Sequence, residues 1–155
     1  MTVKQTLQPP DKLDLDNFAP YLMNRIIGRY NAALQEEMAK LGLTTPQMRS
    51  LAVLSVRDGI LIRELAVYAV VQQSTLSRGL DGLEQGGLIR REPDPDDSRA
   101  TRIFLTAEGR CAYERLWPHM SDAYEAMFAG IADSDKRAFV ITLQKMLKNI
   151  RKHDF

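Results

Sequence analysis

Between Gln73 and Thr106 the chain changes its hydrophobic period, and the change falls at a pair of glycines. Leu76, Leu80 and Leu83 stand at i, i+4 and i+7, one stripe of a helix over about 73–85, with Ser74, Ser77, Arg78 and Asp81 off the stripe. Gly86-Gly87 closes that helix, because glycine readily takes the backbone conformation that ends one. LIRRE at 88–92, a turn-rich DPDDSRA at 94–100 and TRIFLT at 101–106 follow. Ile103 and Leu105 alternate against Arg102 and Phe104, which predicts a two-stranded β-hairpin with a long acidic tip. A shorter helix, about 61–68, precedes the leucine stripe by only a few residues.

Long amphipathic segments flank this unit. Leu22, Ile26, Tyr30, Leu34, Met38 and Leu41 recur at spacings of three and four and predict a helix from Asn17 that ends at Gly42. Thr44, Thr45 and Pro46 give the next helix a capping hydroxyl and a first-turn proline whose missing N–H costs nothing there. It carries Met48, Leu51 and Leu54 and stops near Asp58-Gly59. After the hairpin, Thr106 opens a helix with Leu116, Met120, Ala123 or Tyr124, Met127 and Ile131 on its stripe, and Pro118 is expected to bend it. The last helix repeats Phe139, Leu143, Met146, Leu147 and Ile150. Its Lys145, Lys148, Arg151 and Lys152 read as a solvated face that suits the negative end of the helix dipole. Residues 1–16 hold Pro9, Pro10, Asp11, Asp14 and Asp16 and little to bury, so a mobile arm is expected there. The fold class is then mainly α with a small β wing, one domain over 17–155. A central lobe at about 43–105 sits between helices at about 17–41 and 107–151.

Composition excludes several function classes. The 155 residues carry 21 Lys+Arg against 20 Asp+Glu, a net charge of +1, so a nucleic-acid or membrane partner has to be argued from local pattern. One cysteine, Cys111, cannot form an internal disulfide, and with two histidines it cannot complete a four-ligand zinc site. No metal and no cofactor is expected. There is no signal-peptide core and no run of about 18 apolar residues, so a cytoplasmic protein without a membrane partner is expected. No nucleophile elbow, lysine-terminated phosphate loop, zinc-protease helix or paired-carboxylate arrangement occurs at interpretable spacing, so no catalytic residue is assigned and an enzyme is not expected. Gly79, Gly82 and Gly86 fall in and after a helix rather than after a strand. The run from Asp94 to Ser98 fails as a calcium loop, because its sixth position is Arg99 and its twelfth is Leu105.

A short helix, a tight turn, a second helix and a two-stranded wing make a winged helix-turn-helix, in which the second helix can enter the DNA major groove. Leu65, Ala66, Leu76, Leu80 and Leu83 would anchor it, and Gln72, Gln73, Ser74, Thr75, Ser77 and Arg78 would be presented outward. Those types suit base reading: Gln pairs bidentately with adenine, Arg with guanine, and Ser or Thr bonds phosphate or base edges. Plain solvent exposure produces the same polar face, so the helix alone leaves the choice open.

The flanking residues add to it. GLTTPQ at 42–47, LA at 65–66, STLSR at 74–78, LEQGGLIRR at 83–91, DPDDSRA at 94–100 and LTAEGR at 105–110 follow in an order and spacing that resemble the MarR family of winged-helix transcription regulators over 42–109. The resemblance implies a homodimer in which the helices at 17–41 and 107–151 of two chains interleave, and a DNA-binding lobe at 43–105. Double-stranded DNA is the implied partner, with a roughly palindromic operator and, most often, repression. It implies that Arg99 enters the minor groove with Asp97 orienting it, and that a small aromatic or phenolic effector binds a cleft, for which Arg25, Tyr30, Met48, Tyr113 and His119 are candidates. A dimer is also reasonable physically, since a lobe of about 60 residues is too small to bury long apolar stripes on both sides of it.

Departures from the family pattern are informative. Val70 stands in the turn where relatives commonly have glycine, and Gln72, a poor cap, stands where Asp is frequent. Between 60 and 105 there are six Arg and seven Asp or Glu, which predicts fewer phosphate contacts and a shallower salt slope than for a strongly basic binder. Two rivals remain: a helical protein-interaction module reusing the winged fold, suggested by the acidic wing, and a thiol-based sensor acting through Cys111. Cys111 is expected to be a buried small hydrophobe near Ala112 and Leu116.

Overall fold

The computed structural model describes residues 14–155. Among them the elements follow in the order α1 (Ala19–Lys40), α2 (Thr45–Val56), β1 (Ile60–Leu61), α3 (Ile62–Ala69), α4 (Gln73–Gln85), β2 (Ile89–Pro93), β3 (Thr101–Leu105), α5 (Ala107–Met127) and α6 (Asp133–Ile150). The chain adopts the mainly α fold with a β wing read from its pattern. Most of the expected arm lies outside the described residues; its last part forms a 3-10 turn, Leu15–Asn17, in which the Asp14 carboxylate accepts from the Asp16 N–H.

Each boundary has a local cause. Gly42 (φ 66°) ends α1, with the Leu43 N–H donating to the Met38 carbonyl at 2.9 Å and the Gly42 N–H to that of Ala39 at 3.0 Å. Thr44 and Gln47 form a reciprocal capping box at the start of α2. Gly87 (φ 73°) ends α4 in the same way as Gly42 ends α1, the Leu88 N–H reaching the Leu83 carbonyl at 2.9 Å. Thr106 starts α5: its hydroxyl accepts from the Gly109 N–H at 3.0 Å and donates to the Gly87 carbonyl at 2.6 Å. α5 runs unbroken through Pro118.

The wing has three strands, in the order β1-β3-β2, where the alternation predicted two. Ile60 and Leu61 pair antiparallel with Ile103 and Arg102, on the far side of β3 from β2. Two residues are too few for a period to show. Gly59 (φ 70°) turns the chain into β1, and the Phe104 ring occupies the space a side chain at 59 would need, with Cε1 2.7 Å from an ideal Cβ.

The core lies between the central lobe and the inner turns of α1 and α5, where Leu34, Met38, Leu51, Leu54, Leu65, Leu76, Leu80, Leu83, Ile103 and Leu116 are buried together. Met48 packs in this core at 3% exposure. Only the inner turns of α1 and α5 reach the core; Leu22, Ile26, Tyr124 and Met127, on the same stripes, are exposed. α6 has no buried residue, and its Phe139, Met146, Leu147 and Ile150 are all exposed. Cys111 is exposed rather than buried. Ala112 and Leu116, four apart, take the inward face of α5, and one residue of helical rotation, about 100°, turns Cys111 away from it.

Candidate nucleic-acid interface

The turn between α3 and α4 is closed by Val70 in left-handed backbone (φ 55°, ψ 53°), the only non-glycine with positive φ among the described residues. The Val71 N–H donates to the Ala66 carbonyl at 3.0 Å, the same closure that Gly42 and Gly87 make. The turn therefore has the geometry that glycine usually provides, held by a β-branched residue.

α4 starts at Gln73 with Gln72 as its cap, and the Gln72 side chain makes no capping hydrogen bond. Leu76, Leu80 and Leu83 are buried, while Gln72, Gln73, Ser74, Thr75, Ser77 and Arg78, at the start of the helix and off the leucine stripe, are all exposed. Gln47 fixes the helix from behind: its Oε1 accepts from the Thr44 N–H at 3.0 Å and its Nε2 donates to the Gly79 carbonyl at 3.1 Å. A Cβ at Gly82 would stand 2.9 Å from that Nε2, so glycine here serves close helix approach.

The wing is held by ion pairs. Arg102 Nε donates to Asp94 Oδ1 at 2.5 Å, and Arg102 Nη1 to the Gly59 carbonyl at 2.8 Å, tying both sides of the sheet. Asp94 is buried, and its N–H donates to the Ala100 carbonyl at 2.9 Å across the base of the tip. Arg91 clamps the wing to α4, 2.8 Å from Asp81 and 2.9 Å from Glu84. Arg90 pairs with Glu92 and lies over the Phe104 ring at 4.3 Å. At the tip the Arg99 side chain is 90% exposed, and Asp97 Oδ1 accepts from both its Nε (3.2 Å) and its backbone N–H (3.0 Å). Arg99, Asp97, Gln73 and Arg63 line one groove of about 310 Å³, so wing tip and helix start share a face. The sequence assigned no contact to Gln47 on α4, to Arg91 on Asp81 and Glu84, or between Asp94 and Arg102, since these partners lie across the fold and no spacing signals them.

The five cleft candidates separate. Arg25 and Tyr30 line an open groove of about 470 Å³ between α1 and α5, with Arg29, Ala123 and Met127. Burial, and then the charge of Tyr113, pushes the Tyr30 hydroxyl above its ordinary pKa. The Tyr113 ring lies 6.3 Å from that of Trp117. His119 sits elsewhere on α5, its Nε2 3.4 Å from Glu37 Oε2. The hydrogen bond from Lys40, at 2.7 Å, is the main cause holding the Glu37 carboxyl below its usual range, with His119 adding to it.

Known proteins share this architecture. Residues 41–100 match the sequence model of the MarR family. The transcriptional repressor IacR of Pseudomonas putida is 24% identical over 140 residues, 90% of this chain and 84% of that protein. A MarR-family transcriptional regulator from Silicibacter pomeroyi has a solved structure that superposes with a TM-score of 0.89 at 53% identity, covering 96% of this chain and all of that one. BpsR of Bordetella bronchiseptica, whose DNA binding is regulated by 6-hydroxynicotinic acid, has the same fold at a TM-score of 0.74 and 23% identity, over 86% of this chain and 96% of its own. With that identity spread over nearly the whole length and the winged lobe matched in both sequence and backbone, the chain belongs to the MarR family of helix-turn-helix transcriptional regulators.

Proposed function

We propose that the protein is a homodimer that reads a palindromic operator by placing α4 of each protomer in the major groove and Arg99 in the adjacent minor groove. The observation that carries this reading is the division of α4: three leucines buried on one side, with Gln73, Ser74, Thr75, Ser77 and Arg78 exposed at its start and off that stripe. Gln73, Ser74, Thr75, Ser77 and Arg78 face the base edges, and Gln72 leaves the first-turn amides of α4 for a phosphate, since no side chain caps them. Asp97 orients Arg99 through its contact to Nε. The unpartnered apolar side chains of α6 and of the outer turns of α1 and α5 supply the surface for a second copy.

The groove between α1 and α5 would take a small aromatic or phenolic effector, its carboxylate toward Arg25 and its hydroxyl toward Tyr30, whose neutral phenol remains a donor. The known regulation of BpsR by a hydroxylated aromatic acid supports that chemistry. A coupling of about 1–3 kcal/mol would shift operator affinity roughly 5- to 150-fold. Selection of bound sequences from a random duplex pool tests the main reading: a palindrome with half-sites about one helical turn apart is expected, and an unenriched pool at low salt would refute it.

A further inference from the structure

The C-terminal segment does not leave the fold after α6. At Arg151 the backbone becomes extended (φ −62°, ψ 144°), and the last residues pack against the helix-turn-helix. The Phe155 ring lies 5.9 Å from that of Tyr68 on α3, and the His153 ring stacks on Phe155 at 5.1 Å. Arg57 covers Tyr68 at 4.7 Å. With Phe155 seated, Lys152 and His153 border an open groove of about 1080 Å³ that Arg63, Gln72 and Gln73 also line. Arg63 and Gln73 belong as well to the groove that reaches Arg99 at the wing tip. Arg99, Arg63 and Lys152 therefore follow one another along a continuous edge beside the start of α4.

Lys152 stands two residues beyond the last residue of α6, in the extended segment that follows it. Each wing arginine has a carboxylate partner, whereas Arg63 and Lys152 have none among the described residues. We propose that the docked C-terminal tail is part of the DNA-binding surface, with Lys152, and His153 beside it, contacting backbone phosphates and prolonging the edge begun by Arg63. This rests on α4 being the recognition helix. An unpaired ammonium next to a duplex finds phosphate oxygens whatever the sequence, so the contact adds affinity and register without base preference. Phe155 acts as the seat that holds the cation in place.

The test uses the full-length protein, a duplex selected from the random pool and an unrelated duplex, with affinity followed by fluorescence anisotropy from 50 to 200 mM salt. Lys152→Ala is expected to weaken both duplexes by the same factor and to flatten the slope of log K against log salt by about 0.9 per protomer, about 1.8 for the dimer, which removes roughly twelvefold of the affinity lost over that salt range. Lys152→Arg should restore the slope. Phe155→Ala, which keeps every charge, should reproduce the Lys152→Ala loss by releasing the tail. Wild-type binding with unchanged slope and affinity in Lys152→Ala and Phe155→Ala overturns the proposal, as does a loss in Lys152→Ala confined to the selected duplex. Wild-type protein that binds neither duplex at 50 mM salt overturns the recognition-helix reading instead.

Discussion

Replacing Val70 with glycine should stabilise the protein, although it removes a side chain from the helix-turn-helix. Left-handed backbone costs an L-residue about 1–2 kcal/mol, and β-branching puts valine at the upper end. Against this, glycine gains freedom in the unfolded chain, about 0.4–1 kcal/mol. The lost side chain contributes little: Val70 is 78% exposed, so about a fifth of a full burial of at least ~1.5 kcal/mol is at stake, near 0.3 kcal/mol. The balance is a gain of about 0.5–1 kcal/mol, or roughly 1–4 °C in Tm for a chain of this size. Urea unfolding at fixed protomer concentration measures it, since subunit association would otherwise shift the midpoint. Val70→Ala keeps the Cβ and should gain less than glycine. A loss of 1 kcal/mol or more in Val70→Gly with an unchanged m-value would refute the reasoning, because it would mean that the valine side chain holds the turn through packing.

Gly109→Ala should lose about 3 kcal/mol or more, because its Cβ would stand 2.0 Å from the Leu88 carbonyl oxygen and 2.8 Å from Leu105 Cδ1; Gly28→Ala, with open space around it inside α1, should gain about 0.5–1 kcal/mol in the same denaturation assay. Arg102→Ala leaves the buried Asp94 carboxylate without its cation and should cost about 2–4 kcal/mol, with part of the loss returned when Asp94→Ala is added in a double-mutant cycle. Tyr30 has a raised pKa, so its contribution to stability is complete below the ordinary phenol value near 10 and is lost as pH rises through the folded value. Tyr30→Phe should therefore flatten the fall in Tm between about pH 9 and 11, which thermal unfolding across that range checks.

Most of the architecture was legible because it rests on short-range signals. Leu76, Leu80 and Leu83 set the face of α4, Gly42 and Gly86-Gly87 ended their helices, and the capping hydroxyls of Thr44 and Thr106 opened theirs. What escaped depends on contacts between residues far apart in sequence. β1 exists only because Gly59 turns Ile60 onto β3, and Arg102 matters only because its guanidinium bridges Asp94 and Gly59. Cys111 was misplaced for a related reason: helical spacing defines a stripe to within one residue, and one residue of rotation separates an exposed thiol from a buried alanine. The polar face of α4 could be read as residues, but its exposure as one surface with Arg99 needed the wing placed in space.

That placement also changes what the near-neutral charge means. The six arginines and seven carboxylates over 60–105 do not dilute one another across the surface; four of the arginines are sorted into pairs with five of the carboxylates. Arg91 and Arg102 are used internally, one bridging Asp81 and Glu84, the other joining Asp94 to β1, and Arg90 lies against Glu92. Of these arginines, Arg63 and Arg78, which have no carboxylate partner among the described residues, and Arg99, which extends into solvent from its contact with Asp97, then remain for DNA, joined by Lys152 of the tail. With these four per protomer a dimer would neutralise about eight phosphates, for a slope of log K against log salt of about −7. A contribution from Arg91 or Arg102 beyond that would require it to leave its carboxylates on binding. In that case Arg102→Ala would flatten the slope as well as destabilise the fold, whereas an arginine that serves only to hold the wing leaves the slope unchanged.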